Sequence, residues 1–145
     1  MNRRLVGITM VLALMAGACG GDADIEVSDI WGRPSPAVAT NGAFYMVITN
    51  NTDAADHLIS ASSDACGVAE LHESMMNDGV MSMSPVDAAG IEVPAGGQAT
   101  LQVGGLHVMC IDKQADFDAG ETFDLSLEFE NAGTIVVEAE IREDL

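Results

Sequence analysis

The sequence predicts an all-β fold, a single antiparallel β-sandwich of Greek-key type, and three observations lead to it. Short segments rich in β-branched, aromatic or alternating apolar residues follow one another along most of the chain. Turn signals separate them at intervals of about 8–12 residues, as in sandwiches and barrels. No segment has a helical period for longer than one turn. The length of 145 residues suits one such domain with a short N-terminal appendage.

The first residues have the pattern of an export signal. Two arginines precede an apolar run, residues 5–18, which ends in small residues. The run has 14 residues, whereas a membrane-spanning helix needs about 20. We therefore predict a signal peptide at residues 1–18 and an extracytoplasmic protein, at the cell surface or in the periplasm.

The residues that follow resemble a bacterial lipobox, Ala16-Gly17-Ala18-Cys19, with Ala16 in the place of the usual leucine. The resemblance implies that Cys19 is lipidated and that residues 19–24 form a tether to the membrane. The folded domain is then expected at residues 25–145. Ordinary cleavage after Ala18, which would release a free soluble protein, is the alternative.

The charge of the exported chain excludes one class of function. Without the signal peptide, three basic residues stand against 23 acidic ones. Three cations cannot form a face that binds a phosphate backbone, so nucleic-acid binding is excluded. The acidity favours solubility and can steer a cationic partner or a metal ion.

The first half of the domain divides into strands and loops. A strand is predicted at residues 25–31, where apolar and polar residues alternate. A loop with two prolines follows and ends at Asn41-Gly42. Aromatic and β-branched residues at 43–50 predict a buried strand. Two further strands are predicted at residues 57–63 and 67–75.

In the second half, the strands follow at short and regular spacing. Residues 121–130 alternate clearly, with four apolar side chains on one face and polar ones on the other. The turn Asn131-Ala132-Gly133 leads into residues 134–141, its antiparallel partner. The strands between are predicted at 79–86, 90–93, 98–103 and 106–112.

A stretch of 42 residues, 71–112, contains two of the three histidines and five of the nine methionines. Side chains two apart on a strand share a face, so His107 and Met109 point the same way. A hairpin after His72 would fold Met81 or Met83 back beside it. Thioether sulfur suits Cu(I) and binds harder ions poorly. If the strand of His107 and Met109 lies next to this hairpin, His72, Met83, His107 and Met109 form a site that suits one Cu(I) ion.

Other interpretations of these residues stay open at this point. Methionines on alternating strand positions often only fill a core, and a lone histidine is often a surface residue. Cys66 and Cys110 are an even pair in an exported protein, which predicts a disulfide. The alternative makes Cys110 a copper-binding thiolate. Neither GxSxG nor HExxH occurs, so we expect no enzyme.

These residues resemble the PCuAC-type periplasmic copper(I) chaperones. The signature of that family is His, ten residues, Met, about 21 residues, then His-x-Met. Ten residues separate His72 from Met83 here, and 23 separate Met83 from His107-Val108-Met109. The N-terminal IWGRPSPAVATNGAFYMVITN also resembles the family's Trp-x-Arg-x-x-Pro loop and tyrosine-containing strand. The similarity covers about residues 25–130.

The resemblance implies a cupredoxin-like fold and assigns the family's copper ligands to His72, Met83, His107 and Met109. It further implies a carrier, not an enzyme, that passes one Cu(I) ion to a copper-site subunit of a respiratory oxidase, typically the dinuclear centre of cytochrome c oxidase. We expect a monomer that touches the membrane through its lipid anchor alone. A copper-storage or scavenging lipoprotein, or a metal-free scaffold, are the rival interpretations.

Overall fold

The computed structural model describes residues 24–143. The predicted signal peptide and the lipidation site Cys19, with residues 19–23 of the predicted tether, lie outside this range. Residues 24–143 contain ten strands and no helix, which confirms the predicted all-β class. Accordingly, this part of the chain holds no helix with the length and apolar character needed to cross a membrane.

Each of the ten strands begins and ends within about two residues of the predicted position. They are β1 Ile25–Gly32, β2 Gly42–Asn50, β3 Asp56–Ser62, β4 Cys66–Asn77, β5 Val80–Pro85, β6 Ile91–Val93, β7 Gln98–Leu101, β8 Leu106–Lys113, β9 Thr122–Phe129 and β10 Gly133–Ile141.

The strands form one continuous path of hydrogen-bonded pairs in the order β5-β4-β8-β2-β1-β10-β9-β3-β6, and β7 also pairs with β2. The fold is cupredoxin-like. It departs in one place from the wholly antiparallel prediction, because β1 and β10 pair in parallel through Trp31–Glu140 and Gly32–Ile141. The first and last strands thus lie side by side, which local sequence patterns do not reveal.

Alternation along the strands builds the core. In β2, the side chains of Phe44, Met46 and Ile48 are almost fully buried. In β9, Leu125, Leu127 and Phe129 are buried while the residues between them are not, as the sequence predicts. One large apolar core therefore lies on one side of β2 and β8. Side chains on the other side of these strands, such as Tyr45 and His107, do not belong to that core.

A disulfide joins Cys66, at the start of β4, to Cys110 in β8. Both cysteines belong to the buried core, and 44 positions separate them in sequence. The bond cross-links the two strands that carry His72 and His107. It lies on the core side of the sheet, since Cys110 and His107 have opposite parity on the same strand.

Asp56 fastens the start of β3 to the β9–β10 turn. Its carboxylate is only 4% exposed and accepts hydrogen bonds from the backbone N–H groups of His57 (2.8 Å), Asn131 (2.9 Å) and Ala132 (2.9 Å). Burial by itself raises the pKa of this carboxyl, but the hydrogen bonds outweigh burial, so its pKa lies below the ordinary value.

We expect Asp56→Asn to lower the free energy of unfolding by about 2 kcal/mol at pH 7, because an amide cannot accept all of these hydrogen bonds. With a lowered folded pKa, the carboxylate stabilises the fold fully above its unfolded pKa. This stabilisation is lost as the pH falls through the folded value. Urea unfolding should therefore show the parent and the variant converging between about pH 5 and pH 2.

The control for this experiment is Asp53→Asn, which changes an exposed aspartate nearby. It should leave the stability of the protein unchanged at both ends of the pH range. A parallel pH dependence of Asp56→Asn and the parent would contradict the role given to this carboxylate.

Candidate functional site

The β4–β5 hairpin carries the first part of the predicted site. Its turn consists of Asp78 and Gly79, with φ angles of 49° and 81°. Two consecutive positive φ angles are typical of a two-residue type I′ turn, for which Asp-Gly is a favoured sequence. Because this turn has only two residues, β4 continues to Asn77, two positions beyond the end of the strand predicted at residues 67–75.

The register of this hairpin places Met83 directly opposite Ser74. Ser74 lies two positions after His72 on the same strand, so its side chain shares a face with that histidine. Because directly opposed side chains project on the same side of a sheet, Met83 also lies on this face.

The pairing of β4 with β8 adds the second part. His72 stands directly opposite His107, and Met109 stands opposite Glu70. The centroids of the two imidazole rings are 5.9 Å apart. The structure therefore brings His72, Met83, His107 and Met109 to one face of three adjacent strands, β5, β4 and β8.

His107 is held in one orientation. Its side chain is buried at 3% exposure, and its Nδ1 lies 3.0 Å from the carbonyl oxygen of Gly105. Since a carbonyl can only accept, Nδ1 carries the proton and Nε2 keeps a lone pair. Burial, assisted by the nearby His72, lowers the pKa of His107 although the Gly105 hydrogen bond acts in the opposite sense. The ring thus favours its neutral, ligand-competent form.

His72 is oriented in the complementary way. Its Nε2 lies 2.8 Å from Oε2 of Glu70, the residue two positions earlier on the same face. Donation to a carboxylate places the proton on Nε2 and leaves the lone pair on Nδ1. In many metal sites, a histidine ligand donates the N–H of its other ring nitrogen to a carboxylate, which fixes the orientation of the ring.

Both remaining ring nitrogens are buried and have no hydrogen-bond partner in the described part of the chain. These atoms are Nδ1 of His72 and Nε2 of His107. An unpaired buried polar atom costs about 1–3 kcal/mol, so proteins rarely keep one without a reason. On each of these two neighbouring histidines, the proton is held on the other ring nitrogen, so the unpaired nitrogen keeps its lone pair. The two nitrogens are therefore suited to act as metal ligands.

Three of the predicted ligands, Met83, His107 and Met109, line an open groove of about 370 Å³. His72 does not line it, but its ring stands beside that of His107. Met83 is half exposed and Met109 is partly buried, so thioether sulfur reaches the groove from two strands. In residues 24–143, no three His, Cys, Asp or Glu side chains cluster as a metal site.

The sequence prediction missed the residues that surround these side chains. The ring of Tyr45 on β2 lies 6.2 Å from that of His107, and Trp31 on β1 lies 4.7 Å from Tyr45. Glu70 was also missed. The Glu-x-His spacing of Glu70 and His72 on one strand would have indicated Glu70, whereas Trp31 and Tyr45 depend on the strand order.

The other candidates occupy different places. Cys110 is bonded to Cys66 on the core side, so it is not a free thiolate in this structure. His57 lies on β3, where its Nδ1 is 3.2 Å from Oε2 of Glu130. Met75 projects on the face opposite to His72, because it lies three positions along the same strand.

A comparison with protein families matches residues 25–141 to the model described as "Putative lipoprotein LpqE-like". Among curated proteins, the chain is 26% identical over 140 residues to "Putative lipoprotein Lxx21020" of Leifsonia xyli subsp. xyli, covering 96% of this chain and 82% of that one.

Two solved structures share the fold. The apo PCuAC domain from PmoF1 is 26% identical, with a TM-score of 0.69 over 84% of this chain and 96% of that domain. The Cu(I) form of DR1885 from Deinococcus radiodurans is 26% identical, with a TM-score of 0.62 over 90% of this chain and 85% of that one.

Proposed function

Because the chain belongs to the LpqE-like family and has the fold of PCuAC domains, we propose that it is an extracytoplasmic metallochaperone that binds one Cu(I) ion. The observation that carries the proposal is the pair of unpartnered imidazole nitrogens on His72 and His107, on the same strand face as two thioethers. A structural relative described as the Cu(I) form of DR1885 supports the choice of ion.

The chemistry of the four side chains favours Cu(I) over other ions. Met83 and Met109 supply soft sulfur, and His72 and His107 supply borderline nitrogen, a combination that hard divalent ions bind poorly. None of the four ligand atoms would be an anion: the thioethers carry no charge, and each imidazole would bind through the nitrogen that does not face Glu70 or Gly105. The four ligands themselves would therefore hold a monovalent ion without neutralising its charge.

The location of the donors suits a carrier that loads and releases its cargo. Met83 lies on β5, the outermost strand of the path, and is half exposed. An acceptor can therefore approach the ion from the groove and exchange ligands with it. We propose that the acceptor is a copper-site subunit of a respiratory oxidase, that the carrier acts as a monomer without catalysing a reaction, and that a lipid on Cys19 holds it at the membrane.

The first test is an anaerobic Cu(I) titration of the purified protein against a competing chelator. We expect one equivalent to bind the parent tightly, and the Met83→Leu, Met109→Leu double variant to bind it at least about 100-fold more weakly, because leucine keeps the volume and removes the sulfur. Met75→Leu is the matched control, since Met75 lies on the same hairpin with its side chain on the opposite face. Equal affinity of the double variant and the parent would exclude the thioethers as ligands.

A second measurement separates a chaperone from a storage protein. The Cu(I)-loaded protein is mixed with an apo copper-site fragment of an oxidase, and the metal content of both is determined after separation. We expect the ion to move to the fragment within minutes, without free copper in solution. Retention of the ion by the loaded protein would favour storage.

A further inference from the structure

The six methionines of residues 24–143 differ widely in exposure. Met46 is 1% exposed and belongs to the core, and Met109 is partly buried, whereas Met75, Met76, Met81 and Met83 are 42–62% exposed. All four exposed methionines lie on the β4–β5 hairpin. Core filling, the ordinary reason for methionine in a protein, cannot account for side chains that water reaches.

The register assigns three of these methionines to one face. Met76 stands directly opposite Met81, the pair next to the Asp78–Gly79 turn. Residues opposed in this way have their Cβ atoms about 5 Å apart, so the sulfur atoms of two flexible methionine side chains can reach the same ion. Met83 lies two positions after Met81 and shares its face. Sulfur atoms thus extend along this face from the tip of the hairpin to the groove beside His107.

We propose that Met76 and Met81 form a second, weaker site for Cu(I) at the tip of the hairpin, from which the ion passes to Met83 and the histidine pair. The inference rests on the proposed function of the main site. The ion stays Cu(I) throughout: a bond from copper to a Met76 or Met81 sulfur breaks as a bond to a deeper donor forms, and neither electrons nor protons are exchanged.

The tip site is weaker than the main one for a structural reason. It offers two exposed thioethers next to the turn, without an oriented imidazole, and binding an ion there costs the rotamer entropy of two long side chains. Its exposure suits the first capture of an ion and its last contact before release. Leucine or valine at these positions would serve an apolar docking surface equally well, but would give Cu(I) no ligand.

The test is a titration of the purified protein, labelled with ¹³C at the methionine methyl groups, with Cu(I) alone under anaerobic conditions. We expect the first equivalent to shift the Met83 and Met109 methyl signals. The second equivalent should shift Met76 and Met81, while Met75 and Met46 stay in place. A chelator added afterwards should remove the second equivalent first.

Two variants make the assignment specific, because Met75 and Met76 are neighbours in sequence and lie on opposite faces. Met76→Leu should lose the second equivalent and keep the first, whereas Met75→Leu should keep both. Saturation of the parent at one equivalent, or shifts of Met75 as large as those of Met76, would overturn the tip site and leave the main site standing. Absence of the first equivalent would overturn the proposed function itself.

Discussion

Replacement of His107 by leucine is expected to weaken Cu(I) binding at least about 100-fold, close to 3 kcal/mol, since even changes to the partners of metal ligands cost 10–100-fold in affinity. The stability of the metal-free protein should change by less than about 1 kcal/mol, because leucine removes an unpaired buried nitrogen along with the ring. The Gly105 carbonyl, which loses the imidazole as a donor, still accepts the Ser74 N–H at 3.0 Å.

This combination distinguishes a ligand from a structural histidine. Affinity is measured by chelator competition, and stability by urea unfolding of the metal-free protein. His57→Leu is the matched control, because His57 lies on β3 in contact with Glu130 and outside the groove. A large loss of stability in His107→Leu with unchanged Cu(I) affinity would make the ring a structural element of the sheet.

Removal of the disulfide is expected to have the largest effect on stability. The bond closes a loop with a sequence separation of 44 residues, which in the chain-entropy model is worth about 4 kcal/mol. The Cys66→Ala, Cys110→Ala variant should therefore unfold at much lower urea concentration than the parent. Its Cu(I) affinity, measured where it is still folded, should stay close to that of the parent, because β4 and β8 remain paired through His72 and His107.

Reducing agent provides the control for this variant. It should lower the stability of the parent toward that of the double variant and leave the variant itself unchanged. A difference in stability below about 1 kcal/mol would mean that the bond adds little to the fold. A collapse of Cu(I) affinity in the folded variant would favour Cys110 as a thiolate ligand and contradict its placement on the core side.

The strands could be predicted from the sequence because each has a local signature. The alternation in β9 and the buried run of β2 are both properties of contiguous residues, and the structure bears them out. The parallel contact of β1 with β10 joins residues more than a hundred positions apart. No local pattern encodes such a pairing, so it could not be predicted in this way.

In the candidate site, too, some features follow from the local sequence and others depend on how the strands pair. The shared face of His107 and Met109 follows from the two-residue period of a strand. The pairing of His72 with His107 depends on the register of β4 against β8. A shift of β4 by one residue would move the His72 side chain to the opposite face of the sheet. The tautomers of both histidines depend on the contacts of the rings with Gly105 and Glu70, which follow from the packing of the side chains and not from a sequence pattern. The role of the four side chains as ligands stays a prediction.

The position of β5 at the end of the strand path has a consequence for the mechanics of the site. β5 pairs with β4 alone, and all six of its side chains are exposed, so its displacement would uncover little of the core. His107 and Met109, in contrast, lie on β8, which is clamped between β4 and β2 and stapled by the disulfide. The candidate site therefore has one rigid side, formed by β8, and one side that can move, formed by β5. Met83 can change position without loss of core packing, whereas His107 and Met109 cannot.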